Sequence, residues 1–250
     1  MTTTTLETIL RYLEQLRLHE VSRGLQALHQ QNPERTQALM AVLEPLLAAE
    51  VAARVDRRIR RRIEQARLFP RQAVETFDFN HNASTRRLEH RYRQLLAIDL
   101  VAQNVGAVFL GPPATGKTHL ALALGHAACR RDQRVRFVRY AVMLDHLQLA
   151  ATTNDLGPAL NQFTTPALLI LDELLCLNSS PEQADLLYQV IARRHDAHRP
   201  TVVTTTQPPA IWDQVLLHNK AVARAIADRL FERAEVFYLE RTICKRPRKA

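Results

Sequence analysis

The stretch GPPATGKT, residues 111–118, fits the spacing G-x-x-x-x-G-K-[ST], with Gly111, Gly116, Lys117 and Thr118 at the fixed positions. A loop of this kind wraps a phosphate chain in backbone N–H groups, reaches the outer phosphates with its lysine and offers its hydroxyl to magnesium. The intervening Pro112, Pro113, Ala114 and Thr115, and His119 just after, complete the expected cradle. ATP with Mg²⁺ is the expected occupant. A second anionic cluster stands in ALLILDEL, residues 167–174, where an apolar run ends in Asp172 and Glu173. An Asp-Glu pair after a strand is ordinarily the start of a turn or helix. Beside a phosphate loop, Asp172 becomes the expected magnesium ligand, with Thr118, and Glu173 the base that activates the attacking water. A third polar cluster closes TVVTTTQ, residues 201–207, where Thr206 or Gln207 could orient that water and where β-branched strand formers are the plainer reading.

These residues work together only if strands deliver them to one edge. From residue 107 onward, apolar runs alternate with helical patterns. The expected strands are Ala107–Leu110, Val135–Tyr140, Ala167–Leu171, Thr201–Thr206 and Glu235–Leu239, and the expected helices include 117–130, 181–197 and 220–231. Near-continuous apolar strands separated by helices imply a parallel sheet covered on both faces, an α/β three-layer P-loop domain. Residues 5–66 instead read as helix almost throughout, with Leu6, Ile9, Leu10, Leu13 and Leu16 on one face and Pro45 marking an expected break or kink. Residues 68–82 read as a connector, and 84–103 return to helix. The expected division is a helical domain over 1–75 and an α/β domain over 76–250, with the linker inside 68–85.

Charge adds a partner class. Lys plus Arg number 34 against 25 acids, for a net charge of +9. That balance favours anionic partners, nucleic acid first. The segment RVDRRIRRRIEQARLFPR holds Arg54, Arg57, Arg58, Arg60, Arg61, Arg62, Arg67 and Arg71 against Asp56 and Glu64. On a helix these arginines cover more than one face. Arg54, Arg57, Arg58, Arg61 and Arg62 are the expected DNA contacts, giving salt-dependent binding with little sequence preference. A solvated helix pairing acids elsewhere is the competing reading. The tail RTICKRPRK is a second basic cluster. Aromatic residues make up only 6%, which disfavours base-stacking platforms and favours duplex over single strands. His119 with His126, and His195 with His198, lack a third metal ligand. Cys129, Cys176 and Cys244 have no paired spacing, and no run of about 18 apolar residues or signal-peptide pattern occurs, so a cytoplasmic protein off the membrane is expected.

Taken together, GPPATGKTHLALALG, LLILDELLCL, ADLLYQVIARRHD, TVVTTTQPPAIW and AIADRLFERAEVFYL resemble the AAA+ ATPases of the DnaA/DnaC clade. With LRLHEVSRGLQAL and ARLFPRQAVETFDF in the helical part, the chain resembles more closely the IstB-like helpers of insertion-sequence transposition. The resemblance implies an oligomeric ATPase that assembles on target DNA and recruits a cognate transposase. It also implies that Arg229, in IADRLF, is an arginine finger acting on a neighbouring subunit's nucleotide. Without the resemblance, Arg229 reads as a helix-surface residue pairing Asp228 or Glu232. Two departures from the family stand out. Ala114 occupies a position where such loops usually carry Gly, which is harmless if no left-handed backbone is required there. Thr206 falls where the sensor Asn usually stands, and Gln207 could substitute for it. The alternatives are a DnaC-type helicase loader, a metabolic P-loop kinase, and a DNA scaffold that uses ATP only as assembly glue.

Overall fold

The computed structural model describes residues 2–68, 74–176, 178–216 and 219–240. They form two compact units, residues 1–61 and 62–250. The division falls ahead of the expected linker, so the residues of that connector belong with the second unit.

The first unit contains α1 (Thr2–Gln15), α2 (His19–Gln31) and most of α3 (Pro33–Ala66). Ile9 and Leu13 from α1, Leu25 from α2 and Met40 from α3 make its core, with Leu6, Leu10, Leu43 and Leu47 packed against them. The 3-4 spacing read from α1 therefore does mark its buried face. Of the break or kink expected at Pro45, the break does not occur: α3 continues from Pro33 to Ala66 with Pro45 inside it. Pro45 is exposed, so the carbonyl whose partner it removes is left to water, while Leu43 and Leu47 hold the helix on the core.

In the second unit, α4 (Ala83–Ala97) precedes a five-stranded parallel sheet. Its strands are β1 (Gly106–Leu110), β2 (Val135–Arg139), β3 (Leu168–Leu174), β4 (Thr201–Thr205) and β5 (Ala234–Tyr238), in the order β2-β3-β4-β1-β5. Helices α5 (Lys117–Arg130), α6 (Tyr140–Thr152), α7 (Leu156–Thr164), α8 (Pro181–Asp196), α9 (Trp212–Val215) and α10 (Lys220–Phe231) fall between the strands. All five strands and the three helices named from the sequence are present, with limits within one residue of those expected except at the end of β3, which runs three residues past Leu171 to Leu174. The helix expected over 84–103 stops earlier, at Ala97, because Asp99 accepts hydrogen bonds from the N–H groups of Val101 and Ala102 and turns the chain.

The three inner strands, β1, β3 and β4, are buried almost throughout, as the middle of a sheet between two helical layers requires, while the edge strands β2 and β5 carry Arg136, Arg139 and Glu235. Val108, Leu169, Leu171 and Val203 join a core with α6, α7, α8 and α10. Ala107, Phe109, Leu168, Ile170 and Val202 join the other core with α4 and α5. Trp212 is fully buried and donates to the Gln207 carbonyl at 2.9 Å, an anchor for the segment beyond β4. Arg194 is also fully buried. Its guanidinium donates to the carbonyls of Phe163, Pro166 and Pro200 and to Thr201, so it ties the end of α7 to the segments that enter β3 and β4.

Candidate nucleotide site

The phosphate loop leaves the carboxyl end of β1, in the middle of the sheet, and feeds directly into α5. A parallel sheet puts such a loop at an open crevice, with the positive end of the next helix facing whatever binds there. Gly111 is required by space: a Cβ there would lie 2.1 Å from the Leu239 carbonyl oxygen. Gly116 is required twice, by a φ of +92° and by Phe77, whose ring a Cβ would meet at 2.4 Å. Thr115 closes the turn by donating to the Pro112 carbonyl at 2.9 Å. Lys117 is buried, and its Nζ donates to the same carbonyl at 2.7 Å. Burial pulls its pKa below the usual lysine value, against the opposing pull of the Asp172 and Glu173 charges.

Ala114 departs from expectation. Its φ is +60°, so the left-handed backbone that would make an alanine costly is present. Holding Ala there costs about 1–2 kcal/mol, while glycine's extra chain entropy costs about 0.5–1 kcal/mol. The first effect wins. Ala114→Gly is expected to stabilise the protein by about 0.5–1 kcal/mol, raising its melting temperature by roughly 1–4 °C. A lower melting temperature would mean that the loop does not hold this conformation.

The carboxylates owe their placement to an irregularity in β3. Leu171 pairs with Val203 and Leu174 with Thr205, so Asp172 and Glu173 together oppose Thr204. Two residues against one is a β-bulge, which re-aims side chains that strict alternation would send to opposite faces. Thr204 fills the gap, donating to Asp172 Oδ1 at 2.6 Å and accepting from the Glu173 N–H at 2.9 Å. Thr118 donates to the same Asp172 oxygen at 2.8 Å. Asp172 is thus buried and fixed from two strands and a helix, while Glu173 is exposed with a left-handed φ of +57°. Among the described residues no side chain pairs with the Glu173 carboxylate. Thr118 and Asp172 place two hard oxygens together, as magnesium shared with substrate phosphates needs. No group of three or more His, Cys, Asp or Glu residues able to hold a metal exists among the described residues.

The remaining expected residues are more dispersed. His119 lies beside the loop, its Nε2 3.2 Å from Thr76 Oγ1 and its ring edge-on to Phe77. Thr206 is exposed just past the end of β4; the hydroxyl that reaches Asp172 belongs to Thr204 instead. Arg229 lies on α10 and donates to its own helix at Ala225, with its guanidinium 5.2 Å from the Tyr188 ring centre. The local ion pair that sequence alone allows is not formed: Asp228 pairs with Arg224, and Glu232 with His195 and Arg233. Arg229 lines a recess of about 40 Å³ with Gly106 and Thr201, the first residues of β1 and β4. The phosphate loop follows the other end of β1, four residue steps away at about 3.3 Å each, roughly 13 Å. Sequence reading missed Thr204 and Phe77. The TTT run and the FDF pair were visible, but nothing local says which threonine or ring meets the loop.

Arg54, Arg57, Arg58 and Arg61 line one depression of about 640 Å³ in the first unit, over Leu16, Val51 and Val55. Glu50 bonds both Arg54 and Arg57 at 3.0 Å, and Arg54 also donates to the Leu16 carbonyl. Arg62 belongs to the second unit and pairs with Asp132 at 3.1 Å. Arg71, Cys244 and the tail RTICKRPRK lie outside the described residues. No described helix is long and apolar enough to cross a membrane.

Comparison with known proteins adds identity to this geometry. The model of a family described as IstB-like ATP binding protein matches residues 11–248. A Geobacillus stearothermophilus protein named as the ATP-binding protein of insertion sequence IS5376 is 33% identical over 195 residues, covering 78% of this chain and 76% of its own. Its counterpart from IS232 of Bacillus thuringiensis subsp. berliner is 30% identical, covering 90% of this chain and 88% of its own. Among solved structures, the DnaC helicase loader superposes with a TM-score of 0.58 at 21% identity, over 69% of this chain and 98% of its own. AMPPCP-bound DnaA from Aquifex aeolicus gives 0.57 at 17% identity, over 69% of this chain and 51% of its own. These two likenesses show that the α/β unit shares its fold with DnaC and DnaA.

Proposed function

Because the chain belongs to the family of IstB-like ATP-binding proteins, we propose that it is an ATPase that assembles on duplex DNA and assists the transposase of its insertion sequence. The observation that carries hydrolysis is the bulge in β3, which joins buried Asp172 to Thr118 and leaves the Glu173 carboxylate exposed beside them and without a side-chain partner among the described residues. Lys117 and the loop N–H groups hold the phosphates, and Thr118 with Asp172 would hold magnesium. That ion would neutralise charge on the β- and γ-phosphate oxygens. Glu173 takes a proton from water as its oxygen attacks the γ-phosphorus. The bond from that phosphorus to the bridging oxygen breaks, and ADP leaves. Thr206, at the end of the neighbouring strand, is the proposed orienting residue, with Gln207 next to it.

Assembly follows from Arg229. It lies at the end of the sheet away from its own phosphate loop, farther than an arginine side chain extends. A role on the γ-phosphate is therefore a role in another copy's site. The names of the relatives supply the insertion-sequence context, and the family match includes most of the helical part, which favours a transposase over a helicase as partner. The arginines over Leu16 and Val55 supply the surface for phosphate contacts.

The DNA arm is tested by titrating a duplex across a range of KCl concentrations with ATP present. Replacing Arg57, Arg58 and Arg61 by Gln is expected to weaken binding and lower the slope of log K against log salt by about one unit per lost contact. An unchanged slope would return the segment to a solvated helix.

A further inference from the structure

A second basic recess lies in the α/β unit, lined by none of the phosphate-loop residues. It has a volume of about 250 Å³ and is lined by Arg62, Gln65, Arg134, Val135, Arg136, Gln162, Thr165 and Pro166. Three guanidiniums and two side-chain amides meet there, and no carboxylate is among the lining residues. Arg62 has a partner in Asp132. Arg134 is exposed and Arg136 half-buried, and neither side chain makes an ion pair or hydrogen bond among the described residues. Arg136 Nε is fully covered yet bonds nothing, and the guanidinium lies 5.9 Å from the centre of the Phe163 ring. A covered donor without an acceptor is costly to a fold, and like charges gathered without an anion repel one another. An anion in the recess relieves that repulsion.

From this we propose that the recess at the start of β2 is a phosphate seat for the backbone of duplex DNA. The inference rests on the DNA-binding reading above. The volume lies below the roughly 300–1,000 Å³ usual for whole small-molecule ligands, so a phosphate group fits better than a nucleotide. Planar forks of guanidinium match phosphate oxygens in pairs. The recess is also separate from the ATP site. In the strand order, β2 is the sheet edge three places from β1, roughly 14 Å across the sheet at about 4.8 Å per strand. Arg62 and Gln65 come from the last turns of α3, the helix that carries Arg57, Arg58 and Arg61. Contact here would bring DNA onto the unit that holds the nucleotide.

The experiment compares four full-length proteins: wild type, Arg134→Gln, the double variant Arg134→Gln/Arg136→Gln, and the variant with Arg57, Arg58 and Arg61 changed to Gln. Duplex affinity is titrated against KCl, and binding of a fluorescent ATP analogue is measured in parallel. The double variant is expected to lower the salt slope by one to two units, with the single variant lowering it by up to one and ATP-analogue binding unchanged in both. A reduced slope in the α3 variant but not in the recess variants would overturn the seat and leave the DNA reading intact. Failure of wild type to bind duplex would remove both. Inorganic phosphate at constant ionic strength separates the sources. If it binds wild type through Arg134 and Arg136 while the duplex slope stays unchanged, the recess serves a free anion and the DNA assignment is wrong. Arg134 is exposed, so its single variant gives a reading even if Arg136→Gln weakens the sheet edge.

Discussion

Arg229→Ala is expected to leave the monomer folded and able to bind ATP, yet to reduce ATP turnover by about 10³-fold or more, the scale on which an arginine finger stabilises charge on the transferring phosphoryl group. The residue's internal contacts are modest: one bond to the Ala225 carbonyl and the approach to Tyr188. Their loss should cost about 1–2 kcal/mol, too little to unfold the unit. The decisive measurement mixes Arg229→Ala with Glu173→Gln. Each variant alone is inactive, but some interfaces in the mixture join an intact Arg229 to an intact Glu173. Those interfaces should recover part of the rate, and dilution should abolish it. Co-assembly is checked by sizing. Assemblies that form yet recover nothing would rule out action between subunits.

Glu173→Gln is expected to bind ATP as tightly as wild type while hydrolysis falls by about 10²–10⁴-fold, the usual contribution of a positioned general base. The amide keeps the size of the side chain but accepts a proton poorly. The left-handed backbone at Glu173 and its N–H bond to Thr204 do not depend on the carboxylate, so the bulge should persist. With hydrolysis blocked, complexes on duplex DNA should last longer in ATP. Phosphate release measured with and without duplex reads both effects. Turnover unchanged by the substitution would remove Glu173 from the mechanism. Wild-type turnover no faster than the variant's, with or without duplex, would favour a scaffold that uses ATP for assembly alone.

The sequence by itself made the candidate phosphate loop legible, because the residues of its motif are local. Gly111, Gly116, Lys117 and Thr118 stand within eight residues, and the apolar run before them with the helical run after them fixes a strand-loop-helix whatever the rest of the chain does. The inner strands were legible for a related reason: strands buried on both faces write themselves as nearly continuous apolar runs. Tertiary structure decided what depends on register and direction. Only the pairing of β3 with β4 reveals that Asp172 and Glu173 share a bulge, and that Thr204 is the threonine that locks it. The left-handed φ at Ala114 belongs to the closed loop, and propensity alone gives an alanine no reason to adopt it. The helix through Pro45 is held by Leu43 and Leu47 on a core built from other helices. Arg229 changed most in meaning. Along the chain it has two acids within reach, but in the fold both have other partners, and the length of β1 separates it from its own phosphate loop. Spacing along the chain encodes which residues can meet over one turn of helix or loop, whereas distance across a sheet exists only once the strands have paired.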